Sequence, residues 1–524
     1  MAEVQKQLQN EAQLLNKTFR EFKGVITKSS RSSIPEDSFY DLENMMPIGS
    51  ANVHSVPDKS VALVDYDGDP IYWMDYVNIG LTNYMILFAS TGKVFAYNID
   101  TNTSATIATG LSGTNSRLAQ YKNVVALIID STGYYSWDGT SFAGPLAGTG
   151  VPSNGSEIAV YAGRVWIVQN RTIAYSGADD GSGTPWITLS GTSAWTPANG
   201  GGYVQMTDPT IKGDITRLWV QNGYLYVFSA SSINIISDVY VPTGATPPTP
   251  VFSNLNINAN VGTDQPGSVF AFGRAIAFST PYGAFRMYGV ADERISDDID
   301  GTWQYWDPAR VMSGGVARVN NILCAAFLFK QLASQVIAAR TVLAMFFDKK
   351  WWFANYGDLT FVRSGIKANI PTLYGLLGNK LYRLFDTVTA GVMTASPSTR
   401  VMTPLWQMED ALSKKRVIRV GAQTTVSVLS GALNLTVDTS NSSTAVLGTQ
   451  NALAVAWSNN AGQPVVWQNN AMATVQWYGG TFLLFSGDPP GAFDYFVGMT
   501  LTTSGSVYEL NSLYMDYKLG ARWG

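Results

Sequence analysis

A chain of 524 residues has room for about three domains of ordinary size, or for one large all-β unit with an attachment. Charged residues make up only 14%, against roughly 25% in an ordinary soluble domain, and the net charge is −4. No basic field is present to displace counterions from a phosphate backbone, which excludes a dedicated nucleic-acid binder. One cysteine, Cys324, excludes an internal disulfide framework, and one histidine, His54, leaves any triad or multi-His metal site to be built around a single residue. The polar start, MAEVQKQLQNEAQ, reads against a cleaved signal peptide. Apolar runs such as 322–329 and 342–347 are too short to span a bilayer. The expectation is a soluble, all-β protein made in the cytoplasm.

Residues 1 to about 18 carry Val4, Leu8, Ala12 and Leu15 at helical spacing, which reads either as a short amphipathic helix or as a frayed arm. The irregular segment up to residue 59, rich in Pro and Ser with scattered apolar residues, reads as an arm that wraps over something else. From about residue 60 the chain falls into a rhythm of paired strand-like runs around a turn. Units lie at 84–100, 124–139, 158–177, 215–238, 268–289, 316–329 with 341–357, and 373–386. Their turns, S-T-G, N-G, D-K and G-N between alternating apolar residues, carry the hairpin signal.

One hairpin cannot bury its face alone, so about seven such units imply stacked neighbours. Closure into a β-propeller over 60–395 is the economical solution, because it leaves only short, protected edges; a run of β-sandwiches is the alternative. After about residue 395 the texture changes to long alternating strands, and residues 396–524 read as a separate β-sandwich-like domain. Between them, the Asn- and Gln-laden stretch 441–470 is turn-rich.

Few residues offer chemistry. His54, in SANVHSVPDK, has no GxSxG nucleophile elbow to serve and reads as a surface or packing residue. Cys324, in NILCAAF, reads as a small buried thiol. Trp351 and Trp352 are placed to stack on a sugar or base, but core packing is the plainer reading. Asp65, Asp67 and Asp69 around Gly68 lack the rest of a calcium loop, and DDGSG (179–183) is likewise a turn. The serious enzymatic lead is the acidic loop Asp292, Glu293, Asp297, Asp298 and Asp300, since paired carboxylates carry glycoside hydrolysis. Its DDIDGTW nears the Asp box of sialidase propellers, yet Gly301 stands one position too late. The densest basic cluster, Lys414, Lys415, Arg416 and Arg419, reads as a set of contacts to carboxylates of a neighbouring subunit. No catalytic residue, metal or cofactor is expected.

Three segments carry a resemblance to a known family. FKG…IPEDSFYDLENMMPIGSANVHSVP (22–57) is similar to the opening of the tail hub, or nozzle, proteins of short-tailed bacteriophages, the packaged-DNA stabilisation family, although Ser55, Val56 and Pro57 replace its Arg-Pro-Gly. Residues 222–300 resemble that family's central blades at Gly262, Gly283, Ile295 and Ser296, and 493–523 its closing strands. The resemblance implies a hexameric ring below the portal and adaptor, in contact with other tail proteins, that retains packaged DNA and conducts it at ejection. It implies a virion protein made in the host cytoplasm, without enzymatic activity and without tight binding to the passing double-stranded DNA. On that basis Asp292–Asp300 is expected to face the channel, and Phe22, Gly24 and the 414–419 cluster to meet neighbouring subunits. Two other readings stand beside it: a carbohydrate-binding or glycan-hydrolysing propeller, and a non-viral scaffold propeller.

Overall fold

The computed structural model describes residues 14–179, 194–206, 211–310, 312–389, 392–408, 412–428, 433–440, 442–445, 481–487, 489 and 492–522. Almost all regular structure in them is β. Seven units of antiparallel strands follow one another. Blade 1 is Ile71–Ile79, Thr82–Ala89, Val94–Asn98 and Thr103–Ala108. Blades 2, 3 and 4 open with Arg117–Tyr121, Glu157–Tyr161 and Ile215–Gln221, and blades 5 and 6 with Phe270–Phe272 and Gly314–Val319. Blade 7 is Leu359–Lys367, Ile370–Leu377 and Lys380–Arg383, and takes its outer strand, Val64–Asp65, from the other end of the array. That borrowed strand and the packing of Leu359–Lys367 on Ile71–Ile79 close the ring. The chain is a β-propeller.

Local chemistry explains the blades. Each of the seven units read from the sequence falls in a different blade. Asn320-Asn321, Asp348-Lys349 and Ala368-Asn369 turn with both φ values positive, the geometry whose twist suits a two-residue hairpin. Trp166, Trp351 and Trp352 are fully buried among the blades, so neither Trp351 nor Trp352 presents a stacking face. Cys324 is also fully buried, and burial pushes its thiol up to about 12.

The sheet of blade 6 does not stop at its fourth strand, Lys350–Ala354. It continues through Asp41–Glu43, Thr399–Met402, Val497–Thr503, Asn434–Thr439 and Ser443–Ala445. A second sheet, built on the long pair Ser413–Val428 and Val507–Arg522, packs across it through Val420, Ala422, Leu513 and Met515 against Leu42, Val437 and Met499. These two sheets form the sandwich, and the propeller shares a sheet with it.

The N-terminal arm is woven into both sheets. Met45–Ile48 and Asn52–Ser55 form a hairpin on the edge of Val507–Arg522. Leu15–Phe19 pairs antiparallel with the same strand, Leu15 opposite Tyr517. The helical reading therefore fails at Leu15: the open edge of a long strand offers a backbone ladder, whereas an isolated short helix is marginal in water. Residues 1–13 lie outside the described residues, as do 180–193 and 446–480, which cover most of the DDGSG turn and most of the Asn/Gln-rich stretch. No helix in the described residues is long and apolar enough to cross a membrane.

Candidate functional site

The first strands of the blades line the axis, and they bring five charged residues together there. Asp75 comes from blade 1, Arg117 from blade 2, Glu157 from blade 3, Arg217 from blade 4 and Arg363 from blade 7. All are at most 9% exposed. The Arg117 Nε donates to Glu157 at 2.8 Å, and Arg217 reaches both Glu157 oxygens at 3.2 and 3.3 Å. Arg217 also lies 3.8 Å from Asp75, on the opposite side of the ring, while the Arg363 Nε donates to Asp75 at 2.6 Å. Contacts that cross the ring in this way fill its centre.

Three guanidiniums face two carboxylates, and the surplus positive charge is spread over neutral acceptors. Trp73 lies under Arg117 at 3.8 Å, a cation–π distance, and its indole N–H donates to Asp75 at 2.8 Å. Arg363 donates to the carbonyls of Gly267 and Val269 at 3.2 and 3.1 Å, and Arg117 to that of Ser116 at 3.0 Å. Burial opposes ionisation of Asp75, but Arg363, Arg217 and the Trp73 N–H outweigh it and hold the carboxyl below its usual range. Burial would likewise depress Arg217; Glu157 and Asp75 reverse that and raise it. For Arg363 burial prevails, and its pKa is lowered. The axis is sealed by a charge cluster rather than left as a funnel.

The acidic loop sits on the outer edge of blade 5, in Ala291–Arg294 and the turn that follows. Its carboxylates are engaged one by one rather than paired with each other. Asp292 accepts from Asn258 at 3.0 Å, Glu293 pairs with Arg286 at 2.7 Å, and Asp298 with Lys28 at 2.8 Å. Arg294 holds both Asp297, at 3.2 Å, and Asp300, at 2.5 Å. Asp300 is raised, first by partial burial, with Arg294 opposing. The resemblance positions Gly283 and Ser296 meet in the same blade: the Ser296 hydroxyl accepts from the Ala284 N–H at 3.1 Å, in space that a Cβ on Gly283 would enter.

The arm docks on this edge. The Thr27 N–H donates to the Asp298 carbonyl at 2.7 Å, and the Thr302 N–H to the Thr27 hydroxyl at 3.0 Å. A Cβ on Gly301 would stand 1.7 Å from the Thr27 carbonyl oxygen, so only glycine admits the arm. Gly301→Ala is expected to displace residues 25–28 and lower stability by about 1–3 kcal/mol. Limited proteolysis checks it: cleavage near Lys28 should accelerate in the variant. By contrast, the half-exposed Lys28–Asp298 pair itself contributes under about 1 kcal/mol.

Three of the residues expected at subunit contacts, Phe22, Gly24 and Lys415, are packed within the chain. Phe22 is 3% exposed and stacks on Phe39 with ring centroids 5.2 Å apart, because the arm carries it into the core between the sheets. Gly24, at φ +100°, lies against the Trp351 backbone, where the Val25 N–H donates to the Trp351 carbonyl at 2.9 Å. The basic cluster divides by strand alternation. Lys415 is buried and donates to the Tyr495 carbonyl at 3.0 Å, and Lys414 lies over Phe493 and Tyr495. Arg416 and Arg419 remain exposed. His54 is near Glu509, at 3.5 Å, and burial holds its pKa below the usual value. Among the described residues no group of three or more His, Cys, Asp or Glu is placed to hold a metal.

Fold and axis define an all-β protein, a seven-bladed propeller sharing a sheet with a sandwich. No family model matches the chain, and no curated protein does. Among solved structures it is similar to the extracellular domain of a proposed one-component system of B. thetaiotaomicron, at 8% identity and a TM-score of 0.39, over 62% of this chain and 40% of that one. It is also similar to the WD40 β-propeller domain of Doa1, at 11% identity and a TM-score of 0.36, over 64% of this chain and 98% of that one. The match thus takes in less than half of the bacterial domain.

Proposed function

We propose that this chain is a structural subunit of a short-tailed bacteriophage tail, a hub or nozzle that assembles as a six-fold ring below the portal and adaptor. In this reading it retains packaged DNA, conducts it at ejection and catalyses nothing. The observation that carries the structural role is the sealed axis. A propeller that binds or cleaves a small substrate commonly needs an open pocket with convergent polar groups, whereas here the charged groups of the axis are buried against each other and against backbone carbonyls. The conduit then runs between subunits, along the ring axis, and not through the blades.

Other features support the same reading. The three sequence segments of the tail-hub resemblance fall on the arm, blades 4 and 5, and the closing strands of the sandwich. Four of the five carboxylates of the Asp292–Asp300 edge are matched by bases of the same chain, which suits a wall that DNA passes without being held. Arg416 and Arg419 are exposed, and in this reading they meet an acidic face of a neighbouring subunit. For the glycan reading, the tryptophans that would stack on a sugar are buried.

Electron microscopy of the purified full chain, alone and mixed with the other tail proteins, tests the proposal. Six-fold rings with an axial channel are expected. Monomers that join no ring under either condition, or tight and steeply salt-dependent DNA binding by the chain, would overturn it.

A further inference from the structure

Away from the axis and the acidic edge, a cleft of about 740 Å³ lies between the hairpin tips of blades 6 and 7 and the N-terminal arm. That volume lies in the range of clefts that hold ligands, roughly 300–1,000 Å³. Its lining is two-sided in character. Ile48, Leu373, Leu384 and Phe385 give an apolar floor, while Arg318, Lys367 and Arg383 stand on the rim.

The rim cations are under-matched. Arg318, at the tip of blade 6, is exposed and makes no ion pair or side-chain hydrogen bond among the described residues. Lys367, at the tip of blade 7, donates among the described residues to the Asn102 side chain, at 3.3 Å. Arg383 is held by Asp386, with one nitrogen at 2.7 Å, yet its other terminal nitrogen is buried and has no partner. Burial, and then the Arg383 guanidinium, hold Lys367 below its usual pKa against the opposing pull of Asp386 and Asp100. Asp386 is the one carboxylate in the lining, beside three cations, and Asp100 acts on Lys367 from outside it.

We propose that this groove docks an extended acidic peptide segment, bearing apolar side chains, from a partner protein. Alternating acidic and apolar side chains match a cationic rim above an aliphatic floor, and charge complementarity fixes the register. Nucleic acid suits the groove less well. The floor offers no exposed aromatic face for base stacking, and two unmatched cations do not make a phosphate track. The inference does not depend on the conduit reading, since a scaffold propeller of any origin would carry the same groove.

Fluorescence anisotropy with the full chain and a labelled Glu-Leu-Asp-Leu-Glu-Leu peptide tests it. Saturable binding is expected, weakened by salt and abolished when Lys replaces the acidic residues of the peptide. Arg318→Glu and Lys367→Glu, both on hairpin tips away from the core, should each weaken binding at least about tenfold while the melting temperature and circular dichroism stay those of the parent. The proposal is overturned by absence of saturable binding up to about 1 mM peptide, or by equal affinity in both variants. It is equally overturned if oligo-dT or inorganic phosphate displaces the peptide at lower concentration than the peptide's own affinity. Ring assembly, scored separately by microscopy, distinguishes failure here from failure of the tail reading.

Discussion

Glu157→Gln is expected to lower the unfolding free energy by about 3–5 kcal/mol, among the largest single losses available in this chain. Glu157 is 1% exposed and is the shared partner of Arg117 and Arg217. Removing its charge leaves three guanidiniums with one carboxylate in a low-dielectric centre, and breaking a buried pair from one side costs far more than the pair contributes net. The cluster ties blades 1, 2, 3, 4 and 7, so the loss should appear as weaker cooperativity of the whole ring. Guanidinium denaturation followed by tryptophan fluorescence measures it, since Trp73 lies within the cluster. A midpoint unchanged from the parent would show that the axis is open to water and the guanidiniums are solvated.

Asp75 of this cluster, together with the buried Asp41 of the arm strand Asp41–Glu43, gives a pH dependence with a definite sign. Asp75 and Asp41 are both held below the usual carboxylate range in the folded chain. Their contribution is therefore complete above the unfolded value, near about 3.9, and is lost as the pH falls through the lower folded values. Stability should be flat with respect to these two groups from neutrality down to about pH 5, then fall steeply.

The second large effect is expected at the joint between propeller and sandwich. Asp41 is fully buried in the arm strand Asp41–Glu43, between blade 6 and Thr399–Met402. The two terminal nitrogens of Arg340, from blade 6, donate to Asp41 at 2.6 and 3.1 Å, and the Arg400 Nε, from the sandwich, donates at 2.7 Å. Glu43 completes the set, accepting from both arginines. Two acids and two bases balance, and Arg340 and Arg400 overcome the burial that would otherwise raise the Asp41 pKa. Asp41→Asn unbalances the clasp and is expected to cost about 3 kcal/mol. Because the clasp holds one shared sheet, the sandwich should loosen before the propeller. Two resolved calorimetric transitions, with early proteolysis on the sandwich side, are the expected result; a single transition at the parental temperature would refute it.

How much of this was legible in the sequence depends on the range of the interaction. The blades were, because alternation and turn chemistry act over a few residues: Asn222-Gly223 and Asp348-Lys349 fix their hairpins locally through positive φ. The burial of Trp351, Trp352 and Cys324 was legible from apolar runs. The axial cluster was not. Its signal is a charged residue within the apolar first strand of a repeat, at Asp75, Arg117, Glu157, Arg217 and Arg363, in a chain poor in charge. Nothing in the one-dimensional pattern says that these face each other. The acidic loop drew attention because its charges adjoin in sequence, yet four of the five found a base, on the neighbouring strand, on the arm or at Arg294 of the loop itself, and Asp292 an amide.

Sequence alone determined the β class, the repeated hairpins and the scarcity of charge, since each follows from composition or from contacts a few residues long. Only the tertiary structure decided where the scarce charges meet. Asp75 and Arg363 are 288 residues apart in the chain and 2.6 Å apart in the fold. Asp41 and Arg400 are 359 apart and equally joined. Ring closure and the weaving of the arm bring such pairs together. Burial then makes the pairing obligatory, because a lone charge in the interior costs more than the chain can spare.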